Sequence, residues 1–253
     1  VDVQRHLPPS LVFSIRKYKD GSDTDSGGFG IYNVADVIRA DSRYFFVGAR
    51  FRGSPIGLGT GIVHKFDTQK MTPGGIVSST SVASAYVGVD GDPSALAIIG
   101  NHIYVACSYA YRIEKRRVSD LALVATFDTW PWRATELMAH GDELWAVYRV
   151  DGGAVAWQID TDTGAVIRSF PVADFPWDAV AINGGLYLVA TREEPPKVVK
   201  YSLPDGVLQD FEVDLSTESF NTRKLLTLDG SLLSVGARTI RVFDTSTDTE
   251  VTP

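Results

Sequence analysis

Three carboxylates stand where a repeating chain would bring similar positions together. Asp36 and Glu136 occupy equivalent places in the repeat, and Asp178 falls one position away. Two carboxylates about 5 to 9 Å apart can cleave a glycosidic bond, one as acid and the other as nucleophile or base. A hydrolase or lyase acting on a glycoside or lactone would use this set. The remaining repeats carry Ala95 and Leu225 there, so a copied structural position is the alternative. The four histidines, His6, His64, His102 and His140, are scattered, with no His-Glu-x-x-His and no Gly-x-Ser-x-Gly.

Arginine and tryptophan form the second set. Val47-Gly48-Ala49-Arg50, Val189-Ala190-Thr191-Arg192 and Val235-Gly236-Ala237-Arg238 end in arginine at matching register, and Arg149 ends a further run one residue out of step. Guanidinium groups converging on one face would hold a carboxylate, sulfate or phosphate through paired hydrogen bonds. Arginines copied with the repeat and paired to nearby acids are the plainer reading. The stretches Trp130-Pro131-Trp132-Arg133 and Phe175-Pro176-Trp177-Asp178 set rings beside charge. Such rings stack on sugars, anchor a protein partner, or wedge between neighbouring repeats. Arg52 opens an irregular segment to Gly61, whose Gly57, Gly59 and Gly61 look like a phosphate loop. A strand-like run, Ile62 to Lys65, follows where a helix N-terminus would be needed, which argues against a nucleotide.

These positions matter only if a repeat positions them. Phe66, Ile113, Ile159, Tyr201 and Phe243 each close a strand-like run before a polar turn, at separations of 47, 46, 42 and 42 residues. Before each anchor lies a pair of short strands joined by a tight turn, such as Gly100-Asn101, His140-Gly141-Asp142, Asn183-Gly184-Gly185 or Asp229-Gly230. Small residues (Ala97, Ala139, Ala181) fill the first strand of the pair. A period of about 45 residues without helical periodicity predicts four-stranded antiparallel blades. The expected fold is all-β: a five-bladed β-propeller, one domain over residues 1–253, with the N-terminal strand Leu11 to Tyr18 closing the last blade. Tyr18-Lys19-Asp20, 48 residues before Phe66, leaves a six-bladed ring as the alternative.

The turn Ile159-Asp160-Thr161-Asp162-Thr163-Gly164-Ala165-Val166-Ile167, with a looser copy at Phe243 to Val251, resembles the third-to-fourth-strand turn of the YVTN, NHL and quinoprotein-like β-propellers. The resemblance implies the architecture; that superfamily holds enzymes, binding scaffolds and surface-layer modules. The tryptophan docking pattern of quinone-cofactor blades is missing, so no cofactor is expected. Trp177-Asp178 falls ahead of a first strand and is not a WD-repeat signature.

Bulk properties narrow the partners. A net charge of −7 argues against nucleic acid and gives no general pull to anionic membrane surfaces. No apolar stretch is long enough to cross a bilayer. Cys107, the single cysteine, forms no internal disulfide and reads as a small core residue. Asp20, Asp23 and Asp25, and Asp90 with Asp92, place oxygens at alternate positions, but the terminal bidentate Glu of a calcium loop is lacking and no metal is expected. The chain opens at Val1 rather than Met, as a processed product or a segment of a larger chain or assembly would. The expectation is a non-enzymatic binding or assembly module, extracellular or on a surface such as a virion or cell envelope, recognising a glycan or a protein.

Overall fold

Short runs rich in β-branched and aromatic residues, punctuated by turn-forming Gly, Asn and Asp, fold as strands. The structure is a computed structural model and describes residues 31–39, 43–52, 60–67, 81–89, 93–173, 176–190, 196–215, 224–228, 231–235 and 240–251. These form five antiparallel sheets, each of four strands in chain order. The first holds β1 (Ile31–Arg39), β2 (Tyr44–Arg52), β3 (Thr60–Asp67) and β4 (Ser81–Val89); the second holds β5 (Pro93–Ile99), β6 (His102–Cys107), β7 (Arg112–Arg117) and β8 (Leu123–Asp128). The third comprises β9 (Arg133–His140), β10 (Glu143–Val150), β11 (Gly153–Ile159) and β12 (Val166–Val172). The fourth comprises β13 (Pro176–Ile182), β14 (Gly185–Ala190), β15 (Lys197–Ser202) and β16 (Leu208–Asp214). In the last are β17 (Lys224–Leu228), β18 (Ser231–Val235), β19 (Ile240–Asp244) and the two-residue β20 (Thr249–Glu250). The expected closing strand, Leu11 to Tyr18, the six-blade alternative at Tyr18 to Asp20, and the acidic loops at Asp20 to Asp25 and Asp90 to Asp92 lie outside the described residues.

The chain divides into two compact units, Val1–Ala134 and Thr135–Pro253. Within each, second strands are buried on both faces, which explains their nearly unbroken apolar character. In the second unit, Leu186, Leu188 and Ala190 of β14 pack with Trp145, Phe170 and Tyr201, while the intervening Tyr187 and Val189 pack with Phe211, Leu232 and Phe243. Alternate side chains thus tie one sheet to its two neighbours. In the first unit Phe46, Val63 and Val87 pack against Leu96, Ile103, Val105 and Cys107. First strands of successive sheets lie side by side, β1 by β5 and β13 by β17.

The strand pairing corrects the repeat in three places. Phe66, Ile159, Tyr201 and Phe243 pair across to Phe45, Leu144, Leu186 and Leu232. In the second sheet the residue in that register is Arg116, opposite Ile103, and not Ile113. The same positions pair forward to Ser81, Leu123, Val166, Leu208 and Glu250. A buried arginine therefore holds an anchor place that is apolar in the other sheets. Second, Arg50 and Arg149 share a register, opposite Gly61 and Ala154, each five residues past the anchor's partner. Arg192 and Arg238 are each six past theirs, so the arginines fall into two matching pairs rather than three with one out of step. Valine occurs on both faces of these strands and gives no phase. Third, Ala179 pairs with Leu188 as Val37 pairs with Val47, which puts Asp178 at the place of Asp36. The first sheet's turn is one residue longer, which hid that match. Trp177 and Asp178 also fall inside β13, not ahead of it.

The turn between third and fourth strands repeats one hydrogen-bond pattern. The amides of Arg117, Asp160 and Ser202 bond the carbonyls of Ala122, Ala165 and Val207, and those of Leu121, Gly164 and Gly206 bond back to the turn's first residue. Its fifth residue is left-handed: Leu121 at φ 62°, Gly164 at 75°, Gly206 at 70° and Asp248 at 54°. Glycine suits that conformation. Leucine does so at a cost of about 1–2 kcal/mol, and here burial of Leu121 among Phe46, Val63 and Ile103 offsets it.

A second regularity escaped the sequence pattern. Lys65, Lys115 and Lys200, each just before an anchor position, lie across from Phe46, Tyr104 and Tyr187 with their ammonium groups 6.0, 6.0 and 5.3 Å from the ring centroids. Two of them also reach the turn of the following sheet. Lys65 Nζ donates to the Ser119 carbonyl at 3.1 Å, and Lys200 Nζ to both Asp248 carboxylate oxygens at 2.7 and 2.6 Å.

One titration follows from the packing of β3. His64 lies beside Phe66, ring centroids 5.7 Å apart, and burial lowers its pKa from the ordinary 6.5. The unfolded chain therefore takes up this proton first, so the neutral ring's contribution is complete above about pH 6.5 and is lost as pH falls through the depressed value. Between pH 7 and 5 the urea midpoint of the wild type should fall more steeply than that of His64→Gln. Parallel slopes would remove His64 from the acid response.

Candidate aromatic and arginine site

Antiparallel order sends the second-to-third-strand connection of a sheet, and its link to the next sheet, to the same end. In the second sheet those segments are Ser108–Tyr111 and Asp128–Arg133, both in the first unit. A 3-10 turn at Ser108–Ala110 leads into Tyr111, which is left-handed at φ 50°. The Ser94 and Ser108 hydroxyls lie 2.8 and 2.6 Å from the Ala134 carbonyl oxygen and 2.7 Å from each other. Two hydroxyl protons satisfy two of these contacts at a time, and together they pin the turn to β5 and β9. The other segment is held by the Thr129 amide on the Tyr111 carbonyl, the Trp132 amide on the Thr129 carbonyl, and the Trp130 amide on Asp128 Oδ1. Thr129 Oγ1 donates to the Trp132 carbonyl at 3.1 Å.

This frame presents four flat groups. Tyr111 and Trp130 meet edge to face, centroids 4.7 Å apart at 72°. The Arg133 guanidinium carbon lies 4.5 Å from the Tyr109 centroid and 5.5 Å from that of Tyr111. Its Nη2 donates to the Tyr111 hydroxyl at 3.3 Å, and that bond raises an already high pKa. Trp130 is 69% exposed and Tyr109 45%. Sequence reasoning chose Trp130 and its loop but missed Tyr109 and Tyr111. The signal available was the pair Ser108-Tyr109-Ala110-Tyr111 in a connection otherwise as short as a turn.

The other expected ligand residues are spread out. Trp132 is half-buried, and Trp177, on β13 in the second unit, is 53% exposed. Arg149 is exposed at the end of β10. Arg50 and Arg52 lie at the end of β2 with their side chains outside the described residues, as are Gly53 to Gly59, Arg192 and Arg238.

Of the carboxylates, Asp36 is on β1 with its side chain outside the described residues, and Glu136 is partly buried on β9. Asp178 is 4% exposed, and its Oδ2 accepts the Leu225 amide at 2.7 Å. This carboxylate fastens β13 to β17. Asp178→Ala leaves a buried amide without its acceptor and should cost about 1–3 kcal/mol. A chemical denaturation curve within 0.5 kcal/mol of the wild type, on the order of a neutral surface change, would sink that role.

No protein-family model matches the chain, and no curated protein matches it in sequence. Among solved structures the chain is similar to a chain of the mitotic checkpoint complex, with a TM-score of 0.60 at 13% identity over 87% of this chain and 67% of that one. It is also similar to the computationally designed Ika8 protein, with a TM-score of 0.56 at 17% identity over 86% of this chain and 60% of that one. The chain thus spans less than two thirds of the Ika8 protein. At such identity the likeness is one of fold alone. Together with the sheet layout it fits a β-propeller: an all-β architecture of repeated four-stranded antiparallel sheets.

Proposed function

We propose that the chain is a non-enzymatic binding module that recognises a glycan through the end of the sheets bearing Tyr109, Tyr111, Trp130 and Arg133. Exposed, braced rings at adjoining loops are the observation that supports it. Sugar rings present apolar C–H faces that stack on indole and phenol. A protein partner would draw on a desolvated central pocket, whereas Trp130 projects from its loop. The five sheets are read as five blades of one closed propeller over residues 1–253, kin to the YVTN, NHL and quinoprotein-like group, with Leu11 to Tyr18 paired beside the short β20. Work outside the cytoplasm or on a cell or virion surface suits such a module.

A glycan array probed with the whole chain tests the reading. At least one bound class should lose tenfold or more in affinity in the Tyr109→Ala, Trp130→Ala double variant, while the unfolding midpoint of that variant stays near the wild type. No bound glycan, or binding indifferent to both substitutions, would end it.

A further inference from the structure

We infer that this site takes a carboxylate-bearing sugar, the carboxylate on Arg133 and the pyranose face on Trp130. The inference rests on the glycan-binding reading and adds the charge. Among the described residues Arg133 makes a single hydrogen bond, to a neutral phenol, and no carboxylate lies within ion-pair distance of it. In a chain of net charge −7, an exposed cation is readily given an acid. Five of the other described arginines, Arg43, Arg112, Arg116, Arg117 and Arg241, each have one, while exposed Arg168, like Arg133, pairs with none among the described residues. Arg133 lies over two tyrosine rings instead, which hold its guanidinium while only the Tyr111 hydroxyl uses one of its donors. Among the described residues only one of its five N–H groups is engaged, by the Tyr111 hydroxyl. A planar fork held over aromatic rings matches a carboxylate through two parallel bonds.

The neighbouring groups select the rest of the ligand. Tyr111 bridges the two halves, touching Arg133 through its hydroxyl and meeting Trp130 ring to ring. Charge and stacking surface are therefore adjacent, as the carboxylate and C–H face are in a uronic or sialic acid. A nucleic acid would need several cations for its phosphates, and the overall negative charge opposes it. The Ser94, Ser108 and Thr129 bonds hold the loops before any ligand arrives, which reduces the ordering cost of binding.

Calorimetric titration of the full chain with an oligogalacturonate, its methyl ester, sialyllactose and lactose tests this, at 150 mM NaCl without divalent cations. At least one acidic sugar should bind ten-fold or more tightly than its uncharged counterpart. Arg133→Gln should bring the acidic sugar down to the level of the neutral one, Arg133→Lys should fall between, and Trp130→Ala should weaken both. Both residues are exposed, and unchanged thermal unfolding of the variants verifies the fold. Equal binding of acidic and neutral sugars, still dependent on Trp130, would overturn the carboxylate assignment and leave the glycan reading standing. Binding of none of these sugars, or of a polyglutamate peptide in their place, would overturn the inference, and an empty glycan array would remove the broader reading with it.

Discussion

Glu114→Ala should destabilise the protein by about 3–5 kcal/mol, as breaking a buried ion pair from one side does. Glu114 is 3% exposed and Arg116 7%. Glu114 Oε1 accepts from Arg112 Nε and Nη2 at 3.0 and 2.8 Å, and Oε2 accepts from Arg116 Nε at 2.8 Å. Further bonds reach backbone: Arg116 Nη1 and Nη2 to the Leu121 and Tyr86 carbonyls, Arg112 Nη2 to that of Val87. Removing the carboxylate leaves one guanidinium buried and a second partly so, with only carbonyl dipoles to balance them. Replacing the pair is a different matter. The third sheet carries Trp157 and Ile159 at these two places, so Glu114→Leu with Arg116→Ile should cost markedly less than Glu114→Ala alone, since Arg112 keeps access to water. Urea midpoints for the two variants decide it. A single variant within 1 kcal/mol of wild type, or a double variant as damaged as the single, would contradict the triad's role.

That cluster also explains what the sequence could and could not convey about the fold. Four of the five anchors are apolar and readable, because a third strand that ends in a core residue before a polar turn leaves a clear mark. In the second sheet the core place is taken by a guanidinium that brings its own counter-ion, and a search for apolar anchors slides three residues to Ile113, which is also buried. The resulting separations looked regular. The true interval from Phe66 to Arg116 is longer because the first sheet spends fifteen residues from Phe66 to Ser81 where the second spends seven from Arg116 to Leu123. Periodicity gives the strand count well. It fixes phase poorly when both faces of a strand are buried, as with Val47 and Val189.

The candidate site divides along the same line. Trp130 was legible because an exposed indole in a loop is rare by type alone. The partners that give it chemical meaning were not, since Tyr109 and Tyr111 sit some twenty residues earlier in the chain and meet Arg133 only once the sheet has folded. Asp178 illustrates the converse. Its place one position from that of Asp36 and Glu136 suggested paired carboxylates, yet its oxygen serves the Leu225 amide, a backbone bond that side-chain identity alone does not reveal.

Gly206→Ala should be nearly as damaging as loss of Glu114, for a reason with two separable parts. Gly206 holds the left-handed place of its turn at φ +70°, and a β carbon there would land inside the Phe170 ring. Phe170 is itself packed with Trp145 and Tyr201, centroids 5.6 and 6.2 Å away, and has little room to yield. Backbone strain of about 1–2 kcal/mol adds to an overpacking cost of about 1–3 kcal/mol. Gly184→Ala supplies the control, because Gly184 is left-handed at φ +73° with nothing within 4 Å of the added carbon. It should lose only the backbone part. Phe170→Leu, which vacates the space, should itself destabilise but should shrink the further cost of Gly206→Ala to that of Gly184→Ala. Urea unfolding across this double-mutant cycle separates the contributions. Equal losses at Gly184 and Gly206 would mean that Phe170 does not press on the turn, and that the contact between the third and fourth sheets is looser than their packing implies.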